Sequence, residues 1–289
     1  MTIITAPHPS PVRPDGLSSS DLAALASAVD ALERTSFAAR IAHLFGRHVG
    51  LAGRLVPARL SRLVSKAAAA ALTRTMRIAL RSLGRRSSRG GPMLHRTLAG
   101  ASGALGGALG LAGLPLELPL STTVMLRGIA DIARAEGEDL SDPEAALACL
   151  QVFALGGQSA EDDMLEGGYF AMRAFLAKSV SEAARYIAGK SVVDEMAPVL
   201  VRLTTQIAAR FGLIVSQKVA AQAVPLIGAA GGAAVNVAFM DHFQSLAKGH
   251  FTVRRLERAY GTDLVRREYE RLARASMTRG KAATGFLRP

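Results

Sequence analysis

The sequence predicts an all-α protein, a multi-helix bundle with two Gly/Ala-rich kinked helical hairpins. Three observations carry that expectation. Apolar residues recur at three- and four-residue spacing almost everywhere after Gly16. No run of alternating β-branched residues is bounded by turn signals, so no strand is expected. Hydrophobic residues make up 49% of the 289 positions against 20% charged, enough to build a sizeable core and too apolar for a disordered chain.

The elements follow in order. Residues 1–17 hold four prolines in their first sixteen positions and read as a disordered arm, not a secretory signal. A single helical domain is expected over 18–275, with a flexible basic tail over 276–289. Ser18 to Asp21 offer caps for the first helix, whose Leu22, Leu25, Val29 and Leu32 share one face. Arg40, Arg47 and Arg54 then recur every seven residues, and Pro57 marks a fresh start. From Arg59 to Arg86 the pattern is amphipathic and basic, and 87–92 form a loop. Pro115 and Pro119 bracket Glu117, where the chain is expected to break or kink. A helix resumes from Ser121 to Arg134, and Ser141 is expected to cap the next, with Pro143 and Glu144 behind it. Ser159 and Asp162 open a helix to about Ala188. Val192 to Phe211 form another, interrupted at Pro198. The helix after it is expected to run to Lys248, with basic amphipathic helices to the end.

Net charge is +12, but its distribution says more. Residues 1–100 hold 15 basic and 4 acidic residues, residues 101–200 hold 6 and 14, and residues 201–289 hold 14 and 5. The basic ends either neutralise the acidic middle within the fold or face an anionic partner. One cysteine, Cys149, excludes a disulfide framework and a cysteine zinc site. Aromatic residues are only 5% and Trp is absent, which disfavours nucleic-acid stacking platforms.

Two stretches, 98–116 and 219–240, hold no charged residue. The second is long enough as a helix to cross a bilayer core, about 33 Å. Their Gly and Ala content suits close helix packing inside a soluble bundle, or shallow membrane segments with small-xxx-small contacts. Nucleotide and catalytic signatures fail: Lys190 and Ser191 follow Gly189, but Ala184 stands where a phosphate-binding loop needs glycine. His43 and His48 are five apart, not the four that places two ligands on one helix face.

The polar residues worth following are Glu117, Arg127, Asp131, Asp241 and His242. A charge at Glu117 needs water or a partner, and a Glu117–Arg127–Asp131 network is one way to supply it. The basic set Arg40, Arg47, Arg54, Arg59, Arg62, Lys66, Arg74, Arg77, Arg81 and Arg85 is the candidate contact surface for anionic lipid or an acidic partner.

The segments LPLELPLSTTVMLRGIADIARAEGEDLSDPEAALACLQVFALGG (114–157) and QKVAAQAVPLIGAAGGAAVNVAFMDHFQSLAKGHFTVRRLERAYG (217–261) resemble the EcsC family, over about residues 35–275. The family takes its name from a protein encoded beside the subunits of a bacterial ABC transporter. The resemblance implies a bacterial helical protein, associated with a membrane or accessory to a transporter, and carries no catalytic residues. The leading expectation is a non-enzymatic protein, cytoplasmic and peripheral to the inner face of the cell membrane, with shallow insertion as an option. Its partners would be an anionic membrane surface or membrane transporter subunits, with no cofactor and no metal. The alternative is a metal-dependent enzyme with a site near Glu117, Asp131, Asp241 and His242.

Overall fold

The protein is described from a computed structural model, which covers residues 16–34, 37–45, 58–82, 114–156, 168–190, 193–194, 196–222 and 228–285. Among these residues there are nine α-helices and no strand. They are α1 (Ser19–Val29), α2 (Phe37–Phe45), α3 (Ala58–Ser82), α4 (Leu114–Ala135), α5 (Pro143–Leu155), α6 (Gly168–Ala188), α7 (Pro198–Gln222), α8 (Gly228–Tyr260) and α9 (Thr262–Gly285). A widened π turn, Asp30–Arg34, continues α1.

The hub of the bundle is α5. Every residue from Ala145 to Leu155 is buried, so this helix has no solvent face, as expected for a helix that is apolar all round. Around it pack α3, α4, α6, α7 and α8. Phe153 of α5 meets Phe211 of α7 and Phe243 of α8 with ring centroids 5.2 and 5.3 Å apart. Phe239 extends the aromatic cluster to Phe37 of α2.

Local chemistry explains the boundaries. The Ser18 side chain accepts the Asp21 N–H and caps α1 as expected. The cap of α5 is Asp142, not Ser141: Asp142 accepts the Glu144 N–H, while the Ser141 hydroxyl donates to Asp139 at 2.6 Å. Pro143 then occupies the first helical position, where a missing N–H costs nothing. Pro198 likewise starts α7 instead of interrupting a longer helix.

The expected break around Glu117 does not occur, because α4 runs through Pro119. Pro115 sits in the first turn, where no N–H partner is needed. Beyond it, the hydroxyls of Ser121 and Thr122 donate to the Leu118 carbonyl and Thr123 donates to the Pro119 carbonyl. Side-chain donors therefore bond the carbonyls around the proline. The helix expected to end near Lys248 continues as α8 to Tyr260, 33 residues and about 50 Å. It stops at Gly261, whose φ of 91° lies in the left-handed region that only glycine adopts freely. After it α9 continues past residue 276 to Gly285.

Of the two uncharged stretches, residues 98–113 lie outside the described residues, and 114–116 form the start of α4. The second stretch becomes the end of α7 and the beginning of α8, with 223–227 outside the described residues. One described helix, over Pro198–Ala221, is long and apolar enough to cross a membrane, and 44% of its apolar window is buried inside the bundle.

Candidate functional site: a cationic helix face and a buried ion pair

The basic ends of the chain meet different fates. On α8, the arginines turn to acidic residues of the fold. Arg254 forms a two-pronged bond to Glu138 at 2.8 and 3.1 Å. Arg258 also reaches Glu138, and donates to the Glu136 carbonyl at 2.6 Å. Arg255 joins Glu136 at 2.9 Å and Asp21 at 3.1 Å. Lys248 lies 3.6 Å from Glu136. Burial pushes the Glu138 carboxyl up, but Arg254 and Arg258 outweigh it and hold it below the usual range. The acidic turn 136–139 is thus the counter-charge for α8.

The basic residues of α3 behave differently. No Asp or Glu occurs between Ala58 and Ser82. At 3.6 residues per turn, Arg59, Arg62, Lys66, Arg74, Arg77 and Arg81 fall within about a third of the circumference. Lys66, Arg74 and Arg77 are exposed. Val64, Ala68, Ala71, Leu72, Thr75 and Ala79 form the opposite face, buried against α4 and α7. The Thr75 hydroxyl donates to the Ala71 carbonyl at 2.7 Å, so its burial leaves no donor unmet. Leu63 stands among the charges, 46% exposed.

The remaining members of the basic set are placed as follows. Arg40 is half-buried and donates to Ser245 of α8 at 2.9 Å, so it faces the bundle. Arg47, Arg54 and Arg85 lie outside the described residues, as do the side chains of Arg59, Arg62 and Arg81.

The polar candidates do not assemble as the sequence suggested. Glu117 pairs with Lys218 of α7, Nζ to Oε1 at 2.6 Å, and not with Arg127. Continuity of α4 explains this: ten helical residues separate positions 117 and 127 by about 15 Å. Lys218 is fully buried, with its ammonium 4.8 Å from the Phe239 ring centroid. Burial pushes the Lys218 amine down, and Glu117 opposes that shift. Arg127 is exposed, and Asp131 bonds Arg134 at 3.1 Å. Asp241 is half-buried, its carbonyl accepting the Ser245 hydroxyl.

His242 lies among Phe37, Phe243 and the backbone of Gly156. Neither ring nitrogen has a hydrogen-bond partner among the described residues. Burial and then the Arg40 charge push its pKa down to about 3, so the ring is neutral at physiological pH. No group of three or more His, Cys, Asp or Glu among the described residues is placed to hold a metal ion.

Sequence reasoning missed two features. Lys218 occupies a position on the buried stripe of Ile207, Phe211, Ile214 and Val215, where an apolar residue is due; that spacing was the available signal. A second polar cluster joins Glu33, Tyr169, Tyr269 and His250. Glu33 accepts the Tyr169 N–H at 3.1 Å and the Tyr269 hydroxyl at 2.7 Å. The Tyr169 hydroxyl lies 2.9 Å from His250 Nδ1, and Arg173 beside it pairs with Glu257 at 2.8 and 3.0 Å. No local pattern marks Glu33, because its partners are more than a hundred residues away.

Residues 57–256 match the sequence profile of the EcsC protein family. The match is narrower than the resemblance read from the two segments, and it leaves α1, the π turn, α2 and α9 outside. No match was found among curated proteins or solved structures.

Proposed function

The chain belongs to the EcsC protein family, and from that premise we propose that it is a non-enzymatic factor that docks peripherally on an anionic membrane leaflet. The docking surface is the outer face of α3. The setting is the cytoplasmic side of a bacterial membrane, in company with transporter subunits, as the family resemblance suggests.

One observation carries the reading. The arginines of α8 pair with acids of the fold, and α3 exposes Lys66, Arg74 and Arg77 along a helix that contains no acid of its own. Charge of one sign on a solvent-facing helix attracts an anionic surface. Each basic group near such a surface contributes about 1 kcal/mol. Three such groups give about 3 kcal/mol, weaker than a millimolar affinity. The association is therefore reversible and salt-sensitive, and stable anchoring needs a second contact.

Flotation of the full chain with phosphatidylglycerol vesicles, against pure phosphatidylcholine, tests this. Binding is expected at low salt on the anionic vesicles alone, and Lys66→Glu with Arg74→Glu should abolish it. Charge reversal of Arg266 and Arg267 on α9 should have a smaller effect. Equal flotation with both lipids, or retention on DNA at the same salt without retention on vesicles, overturns the proposal.

A further inference from the structure

The α3 helix borders an apolar groove as well as carrying charge. It runs antiparallel to α7: Ser65 lies against Gly212, and further along, Met76 shares a lining with Val201. Between the two helices is a groove of about 110 Å3, lined by Ala69, Thr73, Met76, Val201, Thr205 and Ala208. Met196, 67% exposed, also borders it. The Thr73 and Thr205 hydroxyls donate to carbonyls one turn back on their own helices, Ala69 and Val201. Thr204 also lines the groove, whose walls are otherwise mostly apolar.

Thr73 has a second neighbour. It also lines an open depression of about 570 Å3 with Ala70, Arg74, Arg77 and Ile78. An apolar trough and an arginine shelf thus meet along one turn of α3. Arginine's planar fork matches phosphate oxygens, whereas the mostly apolar trough suits hydrocarbon. The lining residues from Ala69 to Met76 span about 10 Å of helix, room for part of one alkyl chain but not for the row of side chains of a docking helix.

We infer that the α3–α7 groove seats one acyl chain of an anionic phospholipid, with its phosphate on Arg74. The inference rests on the membrane reading above and supplies the second contact that charge alone lacks. A chain withdrawn from the leaflet into a protein groove, with its headgroup held by arginine, fixes the docked orientation of α3.

Calorimetric titration of the full chain with butyl and octyl phosphate, below micelle-forming concentration, is the test. Each buried methylene is worth roughly fourfold in affinity, so partial burial of four more gives a gain between about tenfold and a hundredfold. Thr205→Phe, which fills the groove, and Val201→Asp, which makes it polar, should each remove that gain. Both positions are exposed, and the helical dichroism signal checks their folding. Equal affinity for the two phosphates, or a gain that survives both substitutions, overturns the groove. The same preparations are then floated with phosphatidylglycerol vesicles. Flotation without a chain-length gain overturns the groove and leaves peripheral docking standing. A gain without flotation overturns the membrane as the source of the amphiphile.

Discussion

Lys218 Nζ lies 2.6 Å from Glu117 Oε1, and the two side chains are 0% and 4% exposed. This pair ties the beginning of α4 to the end of α7, the two helices that flank α3. Removing one partner leaves a buried charge without its counter-ion, which costs about 3–5 kcal/mol. Glu117→Leu alone and Lys218→Met alone should each destabilise by that amount in urea unfolding. The double substitution should recover most of the loss, because an apolar pair of similar volume replaces a desolvated ion pair at little cost. Additive losses would show that the pair is not coupled.

The two buried histidines set a pH dependence. His242 titrates at about 3 in the fold, and His250 well below its ordinary value of 6.5; burial is the first cause in both, and Arg173 and Arg254 add to it for His250. Below pH 6.5 the unfolded chain takes up protons on these residues that the native state refuses. Stability must then fall as pH falls, by up to about 1.4 kcal/mol per pH unit for each histidine. Urea midpoints between pH 7 and 5 should show this slope, and His242→Phe, which suits the surrounding aromatic rings, should remove about half of it. A flat profile over that window would contradict the neutral buried state.

Much of this was legible in the sequence, and the exceptions have a common cause. Helical spacing and the Ser18 cap are local properties, and they translate directly into α1 and the bundle. The unequal charge blocks were visible, but which block would be neutralised depended on the acidic turn 136–139 folding back on α8, a contact over more than a hundred residues. Pro119 misled because it falls early in α4, where its missing N–H costs one helical bond, that to the Pro115 carbonyl, and the turns that follow carry the helix on. That single continuity also moved Glu117 out of reach of Arg127 and left it for Lys218. Local rules read element type well; they do not read which distant element supplies a partner.

Gly249 marks a close approach of α8 to α1 and the π turn. A Cβ there would sit 2.9 Å from Leu32 Cγ and 3.2 Å from the Ala28 carbonyl oxygen. Alanine in a helix interior is intrinsically better than glycine by about 1 kcal/mol, whereas overpacking of this kind costs about 1–3 kcal/mol. Because one obstacle is backbone, the steric cost should win. Gly249→Ala is expected to destabilise by about 1 kcal/mol, read as a lower urea midpoint. A gain in stability would mean that α1 yields easily.

The helices outside the family match bury apolar residues such as Leu25, Val29, Phe37 and Val265 in the core, and a few charged contacts add to that packing. Glu33, on the π turn, receives the Tyr169 N–H at the start of α6 and the Tyr269 hydroxyl from α9. Asp21 receives the Tyr260 hydroxyl at 2.7 Å and Arg255 at 3.1 Å. Hydrogen bonds to charged groups contribute about 1.5–3 kcal/mol each, and more is lost when a buried partner is left unmet. Glu33→Ala should therefore cost about 3 kcal/mol, far more than Glu268→Ala, whose exposed partner Arg271 on the same helix makes a pair worth under about 1 kcal/mol. The loss should be local. In hydrogen exchange, amides of α9 and the first turn of α6 should open earlier, while those of α5, enclosed on every side, keep their protection. Equal loss of protection in α5 and α9 would show that the terminal helices are part of one cooperative unit with the family core.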